Sequence, residues 1–157
     1  MALDTSGEII VAVDRVTAFL VVSDPVRLAR CIPGCQDLRE ISPDHYTAVL
    51  TSRVAFMTLR FAVAIAVTKR EPPTTIEATI TGDAVGLSGR VVATAALHLA
   101  EAADGGTIVR YTTHVTLTGK LGGLGQPVFR ATSASMARAF GENLKAEIER
   151  GGPERSA

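Results

Sequence analysis

A short polar helix start followed by a Pro-Gly corner is the most constraining feature of this 157-residue chain. Asp24 is a favourable N-cap and Pro25 suits the first helical position, so the sequence predicts a helix from Pro25 to Arg30. Pro33 fixes its own φ and disfavours helix at the residue before it, while Gly34 can adopt the positive φ of a sharp reversal. The helix must therefore end at this corner, and the chain must turn there.

Apolar and polar residues alternate over most of the chain, which is the period of a strand with one buried face. The predicted strands cover residues 8–14, 36–41, 45–54, 57–68, 75–81, 87–99 and 109–117, and the fourth ends before Glu71-Pro72-Pro73. Helices are predicted over 15–22, with Phe19 and Leu20 as apolar contacts, and from about Pro127 to Arg150. Turns between successive strands favour antiparallel neighbours. The order predicts an α+β fold, in which a curved antiparallel sheet grips the long C-terminal helix over an apolar cavity.

Glycine-rich or bent segments converge at one end of the predicted sheet. They are the corner at 32–35, the bend at 53–57, the turn at 82–86 and the approach to the last helix at 119–126. Together they predict the mouth of a pocket. The apolar face of the last helix is interrupted by Thr132, Ser133 and Asn143. These side chains either bond to helix carbonyls at a wet margin or anchor a ligand inside the cavity.

Composition excludes some classes of partner. Sixteen basic and sixteen acidic residues cancel, so no net field attracts nucleic acid. The length predicts one domain over residues 1–150, followed by a short polar tail at 151–157. Aromatic residues make up only 4%, so the apolar content rests on Val, Ala, Leu and Ile, which is compatible with a hollow interior.

The N-terminus has none of the basic start and long apolar run of a signal peptide, which predicts a cytoplasmic protein. Its longest uncharged apolar stretch, Phe61 to Val67, is far below the roughly 20 residues of a membrane helix. Cys31 and Cys35 flank the corner and lack the further Cys or His pair of a zinc site. We expect both thiols to be reduced.

Reactive side chains are scarce at inward positions. His45, His98 and His114 fall at a turn or on outward faces, and the sequence has no nucleophile elbow, zinc-protease motif or phosphate loop. Tyr111 is the one inward phenol of the late strands, and it serves either as a bonded core tyrosine or as a donor to a ligand carbonyl. The pattern predicts a protein that is not itself an enzyme.

Four segments together carry a resemblance to a known family. They are DPVRLARCIPGC after the first helix, TGDAVGLSGR in the middle, GGTIVRYTTHVTLTGKLGGLG late in the chain, and Phe140 in the last helix. With the order of elements, they resemble the CoxG family of carbon monoxide dehydrogenase subunits, in the START-like helix-grip (SRPBCC) superfamily. The resemblance runs from about Gly7 to Ile148. It implies a seven-stranded sheet around the C-terminal helix, with two short helices after the first strand.

The resemblance also implies a function. Members are non-catalytic accessory proteins of molybdenum hydroxylases of the carbon monoxide dehydrogenase type, linked to membrane association and to carrying a quinone. The alternatives are a START-like cyclase or hydrolase for a small hydrophobic substrate, and a recruitment factor without a ligand. No cofactor is expected, but menaquinone, ubiquinone or a fatty acid is expected as cargo, with transient contact at the inner membrane face.

An apolar ligand in such a cavity would touch inward side chains of the sheet, the last helix and the corner. The predicted ligand-binding residues are Ile32, Gly34, Leu50, Phe61, Val63, Ile65, Ile80, Val91, Ala93, Tyr111, Val115, Phe129, Thr132, Met136 and Phe140.

Overall fold

The computed structural model describes residues 2–54, 57–121 and 125–151. Its elements are β1 (Ala2–Val11), α1 (Arg15–Val22), α2 (Pro25–Cys31), β2 (Cys35–Ser42), β3 (His45–Val54), β4 (Met57–Glu71), β5 (Thr75–Ala84), β6 (Gly89–Glu101), β7 (Thr107–Gly119) and α3 (Gln126–Gly151). The α+β class and the order of elements predicted from the sequence are confirmed. Residues 152–157 of the predicted polar tail lie outside the described residues.

All seven strands form one antiparallel sheet in the order β1-β7-β6-β5-β4-β3-β2. Strands β2 to β7 are sequential neighbours, while β1 returns to pair with β7. The two edges are therefore β1 and β2, and α3 lies along β1. This is the helix-grip arrangement predicted from the sequence.

The two short helices begin at aspartate caps. The Asp14 carboxylate accepts a hydrogen bond from the Thr17 amide at 3.2 Å, and the Asp24 carboxylate accepts from the Val26 amide at 3.0 Å. Helix α2 ends where Ile32 adopts extended backbone angles, φ −87° and ψ 117°, because Pro33 follows. The predicted corner is confirmed, and α2 is one residue longer than predicted.

Two local predictions were wrong. Strand β1 spans 2–11 rather than 8–14, because its ladder with β7 pairs the main chain from Ala2 onward, while Asp14 is used as the cap of α1. Leu20 is 60% exposed, whereas Phe19 is buried. The buried arc of α1 holds Ala18, Phe19, Val21 and Val22, and a helix advances 100° per residue. Leu20 therefore falls on the opposite side.

The core has two separate clusters at opposite ends of the concave face. The α1-end cluster joins α1 and the C-terminal half of α3 to β1, β5, β6 and β7; it includes Val11, Phe19, Ile76, Leu97, Leu99, Val109, Tyr111, Leu144 and Ile148. The loop-end cluster lies at the start of α3; it consists of Leu3, Val54, Leu59, Phe61, Leu117, Leu121 and Phe129. Both ends of the space between helix and sheet are thus packed.

Candidate functional site

The concave face has a half-buried middle between the two clusters. Inward-facing side chains there keep partial exposure, although the same strands are buried at both ends. This open middle is formed by Val63, Ile65, Val67, Ala78, Ile80, Val91, Ala95, Thr113 and Val115. Its margins pack against the clusters: Val63, Val91 and Val115 against the loop-end cluster, and Val67 against the α1-end cluster. Apolar side chains that face a helix and still remain accessible are not fully covered by it. This middle is therefore the part of the concave face that is covered least tightly.

The strand register shows which row of inward side chains is the smallest. Ile65, Ile80, Ala93 and Val115 align in one row across β4 to β7. The next inward row, toward the α1 end, consists of Val67, Ala78, Ala95 and Thr113. The second row has the smaller side chains, so the surface beneath the helix recedes there.

Helix α3 spans this middle from end to end. Phe129 near its start is buried in the loop-end cluster, and Leu144 near its end is buried in the α1-end cluster. Between them, Met136 approaches the opposite side of the sheet, where the Ser52 hydroxyl of β3 lies 3.7 Å from its Sδ. The helix therefore roofs the strands between β1 and β3.

The structure places the predicted ligand-binding residues in three environments. Those buried in the packed parts of the face are Phe61, Ala93, Tyr111 and Phe129. Those that are half-buried are Ile32, Leu50, Val63, Ile65, Ile80, Val91, Val115, Thr132, Met136 and Phe140. Gly34 is exposed. The open middle brings together Val63, Ile65, Ile80, Val91 and Val115, while Ile32 and Gly34 lie at the corner and not on the concave face.

Tyr111 is engaged by the helix. Its hydroxyl donates to the Ala137 carbonyl at 3.1 Å, and its ring meets Phe140 edge to face at 5.2 Å between centroids. Gly7 and Gly141 make room for the ring, since a Cβ at either position would lie within 2.4 Å of Tyr111 atoms. Burial raises the pKa of the phenol. Of the two roles open to Tyr111 from the sequence, the geometry favours the bonded core tyrosine.

Several half-buried hydroxyls of β1, β7 and α3 have no hydrogen-bond partner among the described residues. Thr5 and Thr113 are register partners on β1 and β7 and point inward, and neither side chain makes a hydrogen bond within the described parts of the chain. The same holds for Thr132 and Ser133 on α3, whereas Asn143 donates to the Cys31 carbonyl at 3.1 Å. Sequence reasoning missed Thr5 because it began β1 too late. Extending the alternation of inward and outward residues back through Gly7 and Thr5 to Leu3 would have placed Thr5 on the inward face.

The corner at Gly34 is tightly fixed to β3. Gly34 has φ +79°, and its carbonyl accepts from the Thr51 amide at 3.0 Å. A Cβ at this position would lie 2.0 Å from the Thr51 carbonyl oxygen. The β5–β6 turn and the end of β7 lie at the same end of the sheet, as the pairing of Gly89 with Gly119 shows. Residues 55–56 and 122–124 of the predicted mouth lie outside the described residues.

A buried ion-pair cluster attaches α2 to α3. The Glu147 carboxylate, 6% exposed, accepts from Arg27 Nε at 2.8 Å and also contacts Arg30 and Arg150. Burial raises the pKa of the neighbouring Cys31 thiol to about 11, and the negative charge of Glu147 adds to this effect. Both cysteines are free. Cys31 is therefore a protonated, inert core thiol near neutral pH.

The described residues offer little for catalysis. The titratable side chains at inward positions of β1 and β3 to β7 are Tyr46 and Tyr111, whose pKa values burial raises, and Arg70 and Glu101, which form ion pairs with Asp44 and Arg15. His114 contacts Asp4 on the convex face, and His45 Nδ1 lies 3.0 Å from the Pro43 carbonyl oxygen. Within residues 2–54, 57–121 and 125–151, no group of three His, Cys, Asp or Glu side chains is placed to hold a metal ion.

Comparison with protein families settles the affiliation of this fold. The family model for CoxG, a subunit of carbon monoxide dehydrogenase, matches residues 7–149. The chain belongs to the CoxG family. This confirms the resemblance found from the sequence, and at the family level CoxG membership supports an accessory, ligand-binding role. A comparison with curated proteins finds no match.

Solved structures share the CoxG chain's fold. A conserved protein from Geobacillus kaustophilus is 26% identical, with a TM-score of 0.84 over 95% of this chain and 97% of the other. The Zhui aromatase/cyclase from a Streptomyces species is 13% identical, with a TM-score of 0.70 over 96% and 95%. A START superfamily protein from Mycobacterium smegmatis is 11% identical, with a TM-score of 0.69 over 94% and 97%. The latter two show the fold alone.

Among the described residues, none of the helices combines the length and apolar character that crossing a bilayer requires.

Proposed function

We propose that this CoxG protein binds a quinone or lipid between α3 and the sheet and acts as a non-catalytic accessory protein of a molybdenum hydroxylase of the carbon monoxide dehydrogenase type. Menaquinone, ubiquinone and fatty acids are the candidate cargoes. In this proposal the protein works in the cytoplasm and touches the inner membrane face transiently, where it exchanges its cargo.

One observation carries the proposal: the open middle of the concave face is apolar, accessible and closed at both ends by packed clusters. Burying a flexible hydrocarbon chain there would contribute about 0.8 kcal/mol per CH₂ removed from water. The unpartnered hydroxyls of Thr5, Thr113 and Ser133 are suited to the carbonyl or carboxyl end of such a ligand, because they can donate hydrogen bonds inside an otherwise apolar space.

Positive charge at the end of the sheet that carries the loop-end cluster supports the proposed membrane contact. Arg53, Arg60 and Lys120 are exposed there, and none has an acidic partner within the described residues. Arg60 lies beside the β5–β6 turn, where the Val85 amide donates to its carbonyl at 2.8 Å and the Val85 side chain is 61% exposed. Cations around an exposed apolar tip are suited to an anionic bilayer surface.

A second candidate is a cyclase or hydrolase activity, to which the likeness to an aromatase/cyclase fold points. Such an activity needs an acid or base on the concave face. Among the described inward positions the titratable groups are the two tyrosines and the ion-paired Arg70 and Glu101, and none of these four lies in the open middle, so the carrier is favoured.

Mass spectrometry of lipids extracted from the purified protein tests the proposal. We expect a quinone or fatty acid at a substantial fraction of one molecule per chain. A protein that neither retains such a molecule nor binds a menaquinone analogue would contradict it. Turnover of a small hydrophobic substrate, lost on changing Tyr111 to Phe, would favour the second candidate.

A further inference from the structure

A polar groove runs between the free edge of β1 and helix α3, beside the open middle. Its volume is about 450 Å³, and it is lined by Asp4 to Glu8 of β1, by Tyr111, and by Arg130, Ala134, Ala137 and Arg138 of α3. We refer to it as the β1–α3 groove. The small side chains of Ala134 and Ala137 and the glycine at position 7 leave it unfilled.

The helix follows β1 along its whole length. Gln126 Nε2 donates to the Ala2 carbonyl at 3.2 Å, and Lys145 Nζ donates to the Ile10 carbonyl. The Ala12 amide in turn donates to the Glu149 carboxylate at 3.0 Å. These contacts cover the two ends of the free edge. They also show that even-numbered residues of β1 direct their main-chain groups toward it, because the direction alternates along a strand.

Asp4, Ser6 and Glu8 therefore present main-chain N–H and C=O groups to the groove. Their pairing partners in the sheet are residues of β7, on the other side of the strand. A row of unpaired main-chain groups on an edge strand is a template for an additional strand. The template is limited to the middle of β1, because the main chain at its two ends is bonded to the side chains of Gln126, Lys145 and Glu149.

The groove also carries two positive charges. Arg130 and Arg138 are exposed, and neither forms an ion pair within the part of the chain that the structure describes. The acidic side chains of the adjacent strand are turned to the convex face, where Asp4 contacts His114 and Glu8 accepts from Arg110 Nε at 2.7 Å. The helix side of the groove thus offers two arginines to an incoming anion.

The spacing of the arginines selects a peptide pattern. Eight residues of α-helix place Arg130 and Arg138 about 12 Å apart along the axis. In an extended strand, residues four apart lie about 13 Å apart and point to the same face. Acidic residues at positions i and i+4 of an added strand would therefore face the two arginines together.

We infer that the β1–α3 groove binds an extended acidic segment of a partner protein, which pairs with the main chain of Asp4 to Glu8 and places carboxylates four residues apart against Arg130 and Arg138. The segment becomes an eighth strand of the sheet. Its template lies on the free edge of β1, and the groove shares Thr5 and Tyr111 with the concave face.

Fluorescence anisotropy with defined peptides tests the inference. The probe is a fluorescein-labelled seven-residue peptide of threonine and valine with glutamate at its second and sixth positions; the matched control has glutamine there. We expect the glutamate peptide to bind about tenfold more tightly, with an affinity that falls as salt is added. Equal affinities for the two peptides, or no saturable binding of the glutamate peptide, would overturn the inference.

Variants of the full chain separate charge from strand pairing. Arg130→Glu with Arg138→Glu should lose the preference for glutamate and acquire one for lysine at the same positions. Ser6→Pro removes an edge amide and should weaken both peptides. Arg39→Glu, on the opposite edge strand β2, should bind as the unchanged protein does. Unaltered binding in a folded double variant, or dimerisation of the protein that Ser6→Pro abolishes, would refute a partner segment as the occupant.

Discussion

Ser52 of β3 and Met136 of α3 lie 84 residues apart in the sequence, yet the Ser52 hydroxyl comes within 3.7 Å of the Met136 sulfur. This contact brings the helix to the far side of the sheet from β1. Helix α3 thus crosses over β4 to β7 and is packed against them by the clusters at both of its ends. The part of the sheet beneath α3 is the basis of the proposed ligand-binding function.

The first prediction concerns Tyr111. Changing Tyr111 to Phe removes the hydrogen bond to the Ala137 carbonyl and should lower the free energy of unfolding by about 1 kcal/mol. Ligand affinity should not change, because the hydroxyl points to the helix backbone. Urea denaturation and binding of a menaquinone analogue provide the two measurements. Lost affinity with unchanged stability would identify Tyr111 as a ligand contact instead.

The second prediction compares two glycines with the same backbone. Gly34 and Gly86 both have φ +79°, but nothing lies within 4 Å of a Cβ at Gly86, whereas the Thr51 oxygen would lie 2.0 Å from one at Gly34. Gly86→Ala should therefore cost about 1 kcal/mol of stability from backbone strain alone. Gly34→Ala should cost clearly more, since the corner must move away from β3. If chemical denaturation gave similar losses of stability for the two variants, the corner could move away from β3 at little cost.

The third prediction is a pH dependence that originates at Glu147. Burial raises the pKa of this carboxyl, but the hydrogen bond from Arg27 and the charges of Arg150 and Arg27 outweigh burial and hold the pKa below its ordinary value. A carboxyl with a lowered folded-state pKa stabilises the fold above its unfolded-state pKa of about 4.3. That stabilisation is lost as the pH falls through the folded-state value.

Glu147→Gln should therefore reduce the free energy of unfolding at pH 7 by about 3 kcal/mol and flatten the loss of stability in acid. Glu149→Gln is the matched control on the same helix, because the Glu149 side chain is 35% exposed. It should cost less than about 1 kcal/mol. Urea titrations between pH 3 and 7 give the free energy of unfolding of each variant. Equal losses of stability would contradict a special role for the buried ion-pair cluster.

The fourth prediction tests the loop end as the membrane-facing surface. Arg53→Glu with Arg60→Glu should weaken binding to vesicles that contain phosphatidylglycerol, while binding to neutral phosphatidylcholine vesicles should stay low throughout. Arg39→Glu with Arg138→Glu makes the same change in net charge elsewhere. Vesicle co-sedimentation at low salt distinguishes the two variants. An equal reduction in both would mean that only net charge matters.

The sequence predicted the fold because its signals were local. Alternation, the aspartate caps and the Pro-Gly corner each fix a short segment, and β3 was predicted with both ends correct. The start of β1 was missed because Asp4, Ser6 and Gly7 have low strand propensity, and only the pairing with β7 makes them a strand.

The site was harder to predict, because alternation reveals which side chains face inward but not how closely a helix approaches them. Tyr111 and Val115 have the same periodic position on β7, yet Tyr111 is bonded to α3 and Val115 lies in the open middle. The attachment of Glu147 to Arg27 joins residues 120 positions apart. Such contacts depend on the angle between α3 and the sheet, which no local pattern encodes.

The proposed ligand lies beneath α3, and two neighbouring alanines of β6 allow its location to be tested. Ala95 faces the open middle, while Ala96 lies on the convex face opposite Thr112. Ala95→Phe would fill the space, whereas Ala96→Phe adds the same side chain outside it. The measurement is the affinity of each folded variant for a fluorescent menaquinone analogue. We predict that Ala95→Phe loses binding and Ala96→Phe keeps it; equal binding by both would contradict a ligand site between helix and sheet.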